Sequence, residues 1–352
     1  MRYAPRIAAV IALPLLLALT SIQTTPDLSG YPNSMAATGD SITKAYNTGS
    51  LPFSEAPGNS WSTGTRDVVQ SHYVRILASH PDISGRNFNE AVSGAKMAGL
   101  TMQVQRVNDR GVAYVTILIG GNDLCTSALS QMTSVSDFRS QFERAMAVLS
   151  AGSPRARIYV VSIPNVYRLW TILKDNLVAR TTWRTFDICQ SLLARPLSTD
   201  TADVARRRAV RRRSVGFNTQ LAEVCAQYIH CRFDQNAVFS DPFQPTDVST
   251  RDYFHPSLDG ERRLARVTWG ASFDFSDQTP PVTTLTTSVI DGGLIVSLTA
   301  TDDVGVAGIE YRLDLGEWQR YTAPFALVTG SNIRFRTVDV NGNIEATQSL
   351  TA

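Results

Sequence analysis

The chain has 352 residues, 43% hydrophobic and 18% charged, a globular composition long enough to build two domains. A formal net charge of +2 supplies no strong basic field, so no nucleic-acid partner is expected.

Arg2 and Arg6 precede an apolar run from Ile7 to Leu19, too short for a comfortable membrane span and shaped like an export signal. Residues 1–25 are therefore expected to be a signal peptide, and the mature protein to be secreted. Export gives a meaning to the four cysteines, Cys125, Cys189, Cys225 and Cys231, because an even number in an oxidising compartment reads as disulfides. Three pairings are possible. Cys225 and Cys231 are near neighbours across a helix end, which favours that pair and leaves Cys125 with Cys189. Zinc is the weaker reading, since no pair has Cys-x-x-Cys spacing and His230 is the only imidazole near them. No metal and no cofactor is expected.

Ser34 to Thr38 reads as a buried strand, Gly39-Asp40-Ser41 as a tight turn, and the next residues as a helix beginning near Ser41. Taken alone, Ser41 is a helix cap. Helical periodicity covers Arg66 to Ser79, and Asn87 to Gly94 reads as a strand entering a loop with Gly94 at its tip. A helix is expected over Ala98 to Asn108. Val112 to Ile119 is nearly all apolar, as for a strand covered on both faces, and it stops at Gly120-Gly121-Asn122-Asp123. A helix (Val135 to Leu149), a strand (Arg157 to Ile163) and two long helical tracts (Val166 to Ala194, Thr201 to Tyr228) follow. The arginine triplets 206–208 and 211–213 read as a solvated helix face rather than a site for anionic lipid or polysaccharide. A last helix starts at Leu258.

Strands alternating with helices imply a parallel sheet between helical layers, with function at the carboxyl ends of the strands. Ser41, Gly94, Asn122 and the late loop Thr250 to Ser257 all fall at such positions. In that loop Asp252 and His255 are three apart, so one turn can aim the carboxylate at one imidazole nitrogen and leave the other for a nucleophile. The remaining histidines, His72, His80 and His230, have no motif around them and are expected to be structural or exposed. Beyond Asp277-Gln-Thr-Pro-Pro281, a linker by composition, short strands with an Asn341-Gly342 turn suggest a small β-sandwich. The expected division is residues 30–275, a linker at 276–281, and a β-domain at 282–352.

Gly39-Asp40-Ser41, Gly94, Gly120-Gly121-Asn122-Asp123 and Asp252-Tyr-Phe-His255, in that order, make Ser34 to Gly270 resemble the SGNH/GDSL hydrolases, in particular the lipase and phospholipase-B-like branches. Ile42 stands where the family usually has leucine. The C-terminal piece is similar to bacterial Ig-like domains. The resemblance implies a three-layer α/β/α flavodoxin-like fold and a serine esterase or lipase working through an acyl-enzyme. It implies Ser41 as nucleophile, His255 as base and Asp252 as its orienter. The oxyanion would be held by the N–H groups of Ser41 and Gly94 and the side-chain amide of Asn122. Asp123 and Asp40 are given no catalytic role, Asp123 being expected to orient its loop through backbone N–H groups. Tyr46 and Trp61 are candidates for the substrate pocket. Lipid or short acyl esters are the expected substrates of a monomer whose β-domain could attach to a polysaccharide or cell surface. A carbohydrate O-acetylesterase, or a surface binder with a vestigial site, are the competing readings.

Overall fold

The computed structural model describes residues 30–352; the expected signal peptide lies outside the described residues. Five strands make the central sheet: β1 (Met35–Gly39), β2 (Asn87–Asn89), β3 (Tyr114–Leu118), β4 (Arg157–Val160) and β5 (Cys231–Phe233). All pair in parallel, in the order β2-β1-β3-β4-β5, the flavodoxin-like arrangement. β5 has no apolar run to announce it; Cys-Arg-Phe is placed by pairing with Ile158 to Val160 of β4.

The helices are α1 (His72–Ser79), α2 (Leu100–Arg110), α3 (Gly121–Leu124), α4 (Val135–Gly152), α5 (Val166–Leu173), α6 (Leu177–Thr185), α7 (Gln190–Leu193), α8 (Thr201–Cys225), α9 (Ala237–Ser240) and α10 (Leu258–Ala271). Alternate strand residues face opposite layers. Ala36, Val115, Ile117, Ile158 and Val160 pack with residues of α2, α4 and α8, where Phe138 and Phe217 stack at 3.9 Å. Met35, Tyr114, Leu118 and Tyr159 pack on the other side with Tyr73 and Ile76 of α1 and Ala265 of α10. Burial on both faces explains why these strands read as continuous apolar runs.

Two expected helices are shorter than their periodicity suggests. Gln70 adopts a left-handed conformation (φ 53°), so the 66–79 tract becomes a 3-10 turn (Asp67–Val69) and then α1, capped by Ser71. The tract from 166 to 194 is three helices, because Asn176 caps a new start at α6 and Asp187 and Cys189 have positive φ. The arginine triplets are not a solvated face throughout. Arg206 donates to the carbonyls of Gln190, Ser191 and Ala194, and Arg213 to that of Thr133. Buried Arg207 stacks 4.8 Å over Trp170. These guanidiniums satisfy the carbonyl ends of short segments around α8, which a sequence pattern of charge alone cannot reveal.

Disulfides join Cys125 to Cys189 and Cys225 to Cys231. The first ties the residue after α3 to the start of α7; the second ties the end of α8 to β5.

The C-terminal part forms two antiparallel sheets. One contains β6 (Val282–Ile290), β7 (Gly293–Thr301) and β10 (Phe325–Val328). The other contains β8 (Val306–Leu313), β9 (Gln319–Arg320), β11 (Asn332–Asp339) and β12 (Gln348–Thr351). Val296, Leu298, Leu327, Ile333 and Phe335 fill the space between them. This unit docks at the amino end of the central sheet. Arg157, the first residue of β4, donates to the carbonyl of Gly30 and to Asn343 Oδ1 (3.2 Å), and its guanidinium stands 5.3 Å from the Phe275 ring. Asn341 accepts from the Asp274 N–H (3.0 Å) and donates to Asp277 Oδ2 (2.9 Å). The segment expected to be a free linker is thus hydrogen-bonded to the second unit.

Candidate active site

β1 ends at Gly39, where φ is +149° and an added Cβ would come within 2.3 Å of the Leu118 carbonyl oxygen, so the turn into Ser41 requires glycine. The helix expected from Ser41 is absent. Residues 41–47 are successive turns, because Ala45 (φ 51°) and Asn47 (φ 66°) are left-handed and break an i to i−4 ladder. The turns carry Asn47 toward the far loop, where its amide donates to Asp252 Oδ2 at 2.6 Å.

That far loop brings Asp252 and His255 to Ser41 across more than 200 residues. The Ser41 hydroxyl meets His255 Nε2 at 2.8 Å, and His255 Nδ1 meets Asp252 Oδ2 at 2.7 Å. The other oxygen, Asp252 Oδ1, accepts the N–H groups of Phe254 (2.9 Å) and His255 (3.1 Å), so the carboxylate is fixed by its own turn. Tyr253 between them has φ 54°. Arg251 clasps the facing segment through the carbonyls of Asn47, Gly49, Ser50 and Leu51. On the other side the Trp183 indole N–H donates to the Tyr253 carbonyl (3.0 Å). Alcohol, imidazole and carboxylate form one hydrogen-bonded chain, an arrangement in which a proton can pass from a hydroxyl to the ring while the carboxylate steadies the imidazolium.

The loops that follow β2 and β3 meet beside the end of β1. The Val92 N–H donates to the Gly39 carbonyl (3.1 Å) and holds the loop of Gly94 beside the end of β1. Gly94 has φ +79° and open space where a side chain would stand. Asn122, in α3, donates through Nδ2 to the Ala95 carbonyl at 3.0 Å, which locks its amide against that loop and leaves the second N–H of the group to turn elsewhere. Among the described residues the N–H groups of Ser41 and Gly94 have no backbone or side-chain acceptor. Asp123 accepts the Met97 N–H (2.8 Å) and the Thr133 hydroxyl (2.6 Å), which makes it a brace for the same loops, as its place beside Asn122 suggested.

Three carboxyls in this region, Asp40, Asp123 and Glu261, are buried. Burial pushes Asp40 up to about 6, against the opposing pull of the Ile42 N–H and His255. Burial likewise raises Asp123, and raises Glu261 well above the usual range despite the hydrogen bond it accepts from the Trp61 N–H (2.9 Å). Asp252 is also buried, but hydrogen bonds from His255 and the turn outweigh burial and hold it below the ordinary value. Two carboxyl environments therefore coexist near Ser41: Asp40, Asp123 and Glu261, where burial favours the protonated form, and Asp252, where hydrogen bonds favour the ionised form.

Beside Ser41 and His255 opens a cavity of about 100 Å³, lined largely by apolar groups, including Ile163, Val166, Leu169, Phe243 and Val267. Neither aromatic expected in the pocket lines it. Trp61 is buried in the second core, edge-on to His72 at 5.5 Å, and only its backbone reaches toward the site, through Glu261. Tyr46 instead flanks His255, its ring 4.8 Å from the imidazole, and Phe254 is edge-on to the same imidazole at 5.2 Å. Asn47, Arg251 and Glu261 escaped the sequence reading, since nothing local marks an asparagine, arginine or glutamate whose partner is far along the chain. The apolar residues after β4 escaped it because they read as helix core.

A serine, an imidazole and a carboxylate at the carboxyl ends of a flavodoxin-like sheet define a hydrolase-type site. The chain belongs to the GDSL-like Lipase/Acylhydrolase family, whose profile matches residues 35–267. Over 247 residues it is 26% identical to the membrane-associated phospholipase B1 of Rattus norvegicus, a match covering 60% of this chain and 16% of that protein. Over 178 residues it is 28% identical to the Mus musculus protein of the same name, covering 41% and 12%. The chain thus spans about a sixth or less of the length of these relatives. Among solved structures, an acetyl xylan esterase from Geobacillus stearothermophilus matches with a TM-score of 0.41 and 16% identity, covering 70% of this chain and 96% of that one. An alpha/beta hydrolase from the Lake Arreo metagenome matches with a TM-score of 0.41 and 15% identity, covering 68% and 94%.

Proposed function

We propose that this GDSL-family esterase is secreted and hydrolyses carboxylic esters of lipids or short acyl groups through a covalent acyl-enzyme. The observation that carries the reading is the unbroken chain from the Ser41 hydroxyl through His255 to Asp252, at 2.8 and 2.7 Å. His255 takes the hydroxyl proton as Ser41 Oγ bonds to the ester carbon, and returns it to the departing alkoxide. A water molecule, deprotonated by the same imidazole, then bonds to the acyl carbon and frees Ser41. The N–H groups of Ser41 and Gly94 and the amide of Asn122 receive the oxyanion in both tetrahedral intermediates. Residues 30–275 carry this chemistry, and 282–352 form the separate β-domain.

The apolar wall of the cavity favours an acyl chain over a sugar ring as the group beside the nucleophile. At about 100 Å³ it is smaller than an engineered cavity of roughly 150 Å³ that binds benzene, so it holds only the first part of a chain. Ser41→Ala is expected to lower turnover of p-nitrophenyl esters by about 10⁵ or more with the fold unchanged. A fluorophosphonate probe is expected to label wild type at Ser41 and leave the variant unlabelled. Full activity in the variant would refute the reading.

A further inference from the structure

We propose that the enzyme docks on a lipid surface through an apolar platform formed by Leu51, Phe53 and Phe186, and takes its ester from that surface. The inference rests on the esterase reading and adds the physical state in which the substrate is met. Leu51 is 68% exposed, Phe53 52% and Phe186 57%, although each is a large apolar side chain. Phe53 and Phe186 come from segments 133 positions apart, yet their rings are paired at 5.8 Å, so they form one patch.

Both segments are fastened to the loop that holds Asp252 and His255. On one side Phe53 donates its N–H to Asn47 Oδ1 (2.6 Å), Asn47 bonds to Asp252, and Arg251 grips the Leu51 carbonyl (2.7 Å). On the other, Trp183 of α6 bonds to the Tyr253 carbonyl, three residues before Phe186. The first turn of α6 also exposes Leu177 and Val178, while Ala179 and Trp183 are buried. The platform therefore lies beside, and is braced by, the loop whose His255 lines the cavity. The β-domain occupies the amino end of the sheet and leaves this end uncovered among the described residues.

Size supplies the second reason for this occupant. A cavity of about 100 Å³ takes only the first carbons of a long chain, and the rest must stay in an apolar medium. An apolar platform beside the loop of His255 lets that remainder stay in the lipid layer while the ester reaches Ser41.

The test is co-sedimentation of the Ser41→Ala protein with phosphatidylcholine vesicles, with and without Leu51→Ser, Phe53→Ser and Phe186→Ser together. It is paired with turnover of soluble p-nitrophenyl acetate and emulsified tributyrin by the corresponding active forms. We expect the triple variant to bind vesicles about tenfold or more weakly and to lose a similar factor on the emulsion. Its kcat/KM on p-nitrophenyl acetate should stay within about twofold of wild type. Phe53→Trp in the Ser41→Ala background should add a vesicle-dependent blue shift of fluorescence, a readout independent of the triple variant. Equal vesicle binding with and without the platform, or no binding at all, with p-nitrophenyl acetate turnover intact, would overturn the docking and leave the esterase standing. A concentration-dependent dimer abolished by the triple variant, with no vesicle binding, would assign the patch to a second copy and also overturn it. Wild type inert on every ester would remove the esterase reading instead.

Discussion

The two ends of the central sheet are built to opposite specifications. At the carboxyl end, turns with positive φ, buried carboxyls with raised affinity for protons and N–H groups that have no protein acceptor among the described residues meet around Ser41. At the amino end, Arg157, Asn341 and Asn343 are engaged with Gly30, Asp274 and Asp277, and the polar groups answer one another. One end leaves hydrogen-bonding capacity open, and the other spends it on holding two units together. Polar residues of the same kinds serve both, so the difference lies in what is left unanswered.

Substitutions at the two ends should therefore separate activity from stability. The largest effect is expected from Asp252→Asn, which keeps the shape but loses the charge that orients His255. Ester kcat should fall about 10⁴-fold with little change in melting temperature. Asn122→Ala removes one oxyanion donor and the tie to Ala95, and a loss of about 10²–10³ in kcat is expected, with KM nearly unchanged.

Asp40 tests the cost of the open end. Its carboxyl holds a proton more tightly in the folded chain (about 6) than in the unfolded one (3.8). The native state therefore loses stability as pH rises between those values, by about 3 kcal/mol, and no more above about 6. Asp40→Asn should lack that loss, so its stability advantage in urea unfolding should grow from pH 4 to 6 and then level off. A gap that stays flat across this range would show that Asp40 titrates normally. At the opposite end, Gly342 has φ +81°, and an added Cβ would come within 2.5–2.9 Å of the Arg157 side chain. Gly342→Ala should cost about 1–3 kcal/mol in unfolding with p-nitrophenyl ester kcat unchanged. A large drop in kcat would mean that the two ends are coupled.

The meeting of Ser41, His255 and Asp252 was legible because its signals are local: Gly39 before Ser41, and Asp252 three residues from His255 within one turn. The apolar run of β3 was equally plain, since burial on both faces leaves no polar position. What the sequence concealed depends on distance along the chain. Trp61 looked like a loop aromatic free to meet substrate, but Tyr73, Ile76 and His72 enclose it in the second core. A helix was expected after Ser41 because its residues permit one. The bond from Asn47 to Asp252, 205 positions away, instead accompanies a coiled path that no local preference encodes. The arginine triplets misled for the same reason, their carbonyl partners belonging to other segments.

The placement of the β-domain gives the molecule a direction. Its last strand, β12, belongs to the unit fixed beneath the amino end of the sheet, while Ser41 opens at the other pole. A bulky group placed on the β-domain would therefore stand at the far pole from Ser41 and leave the approach to that hydroxyl open.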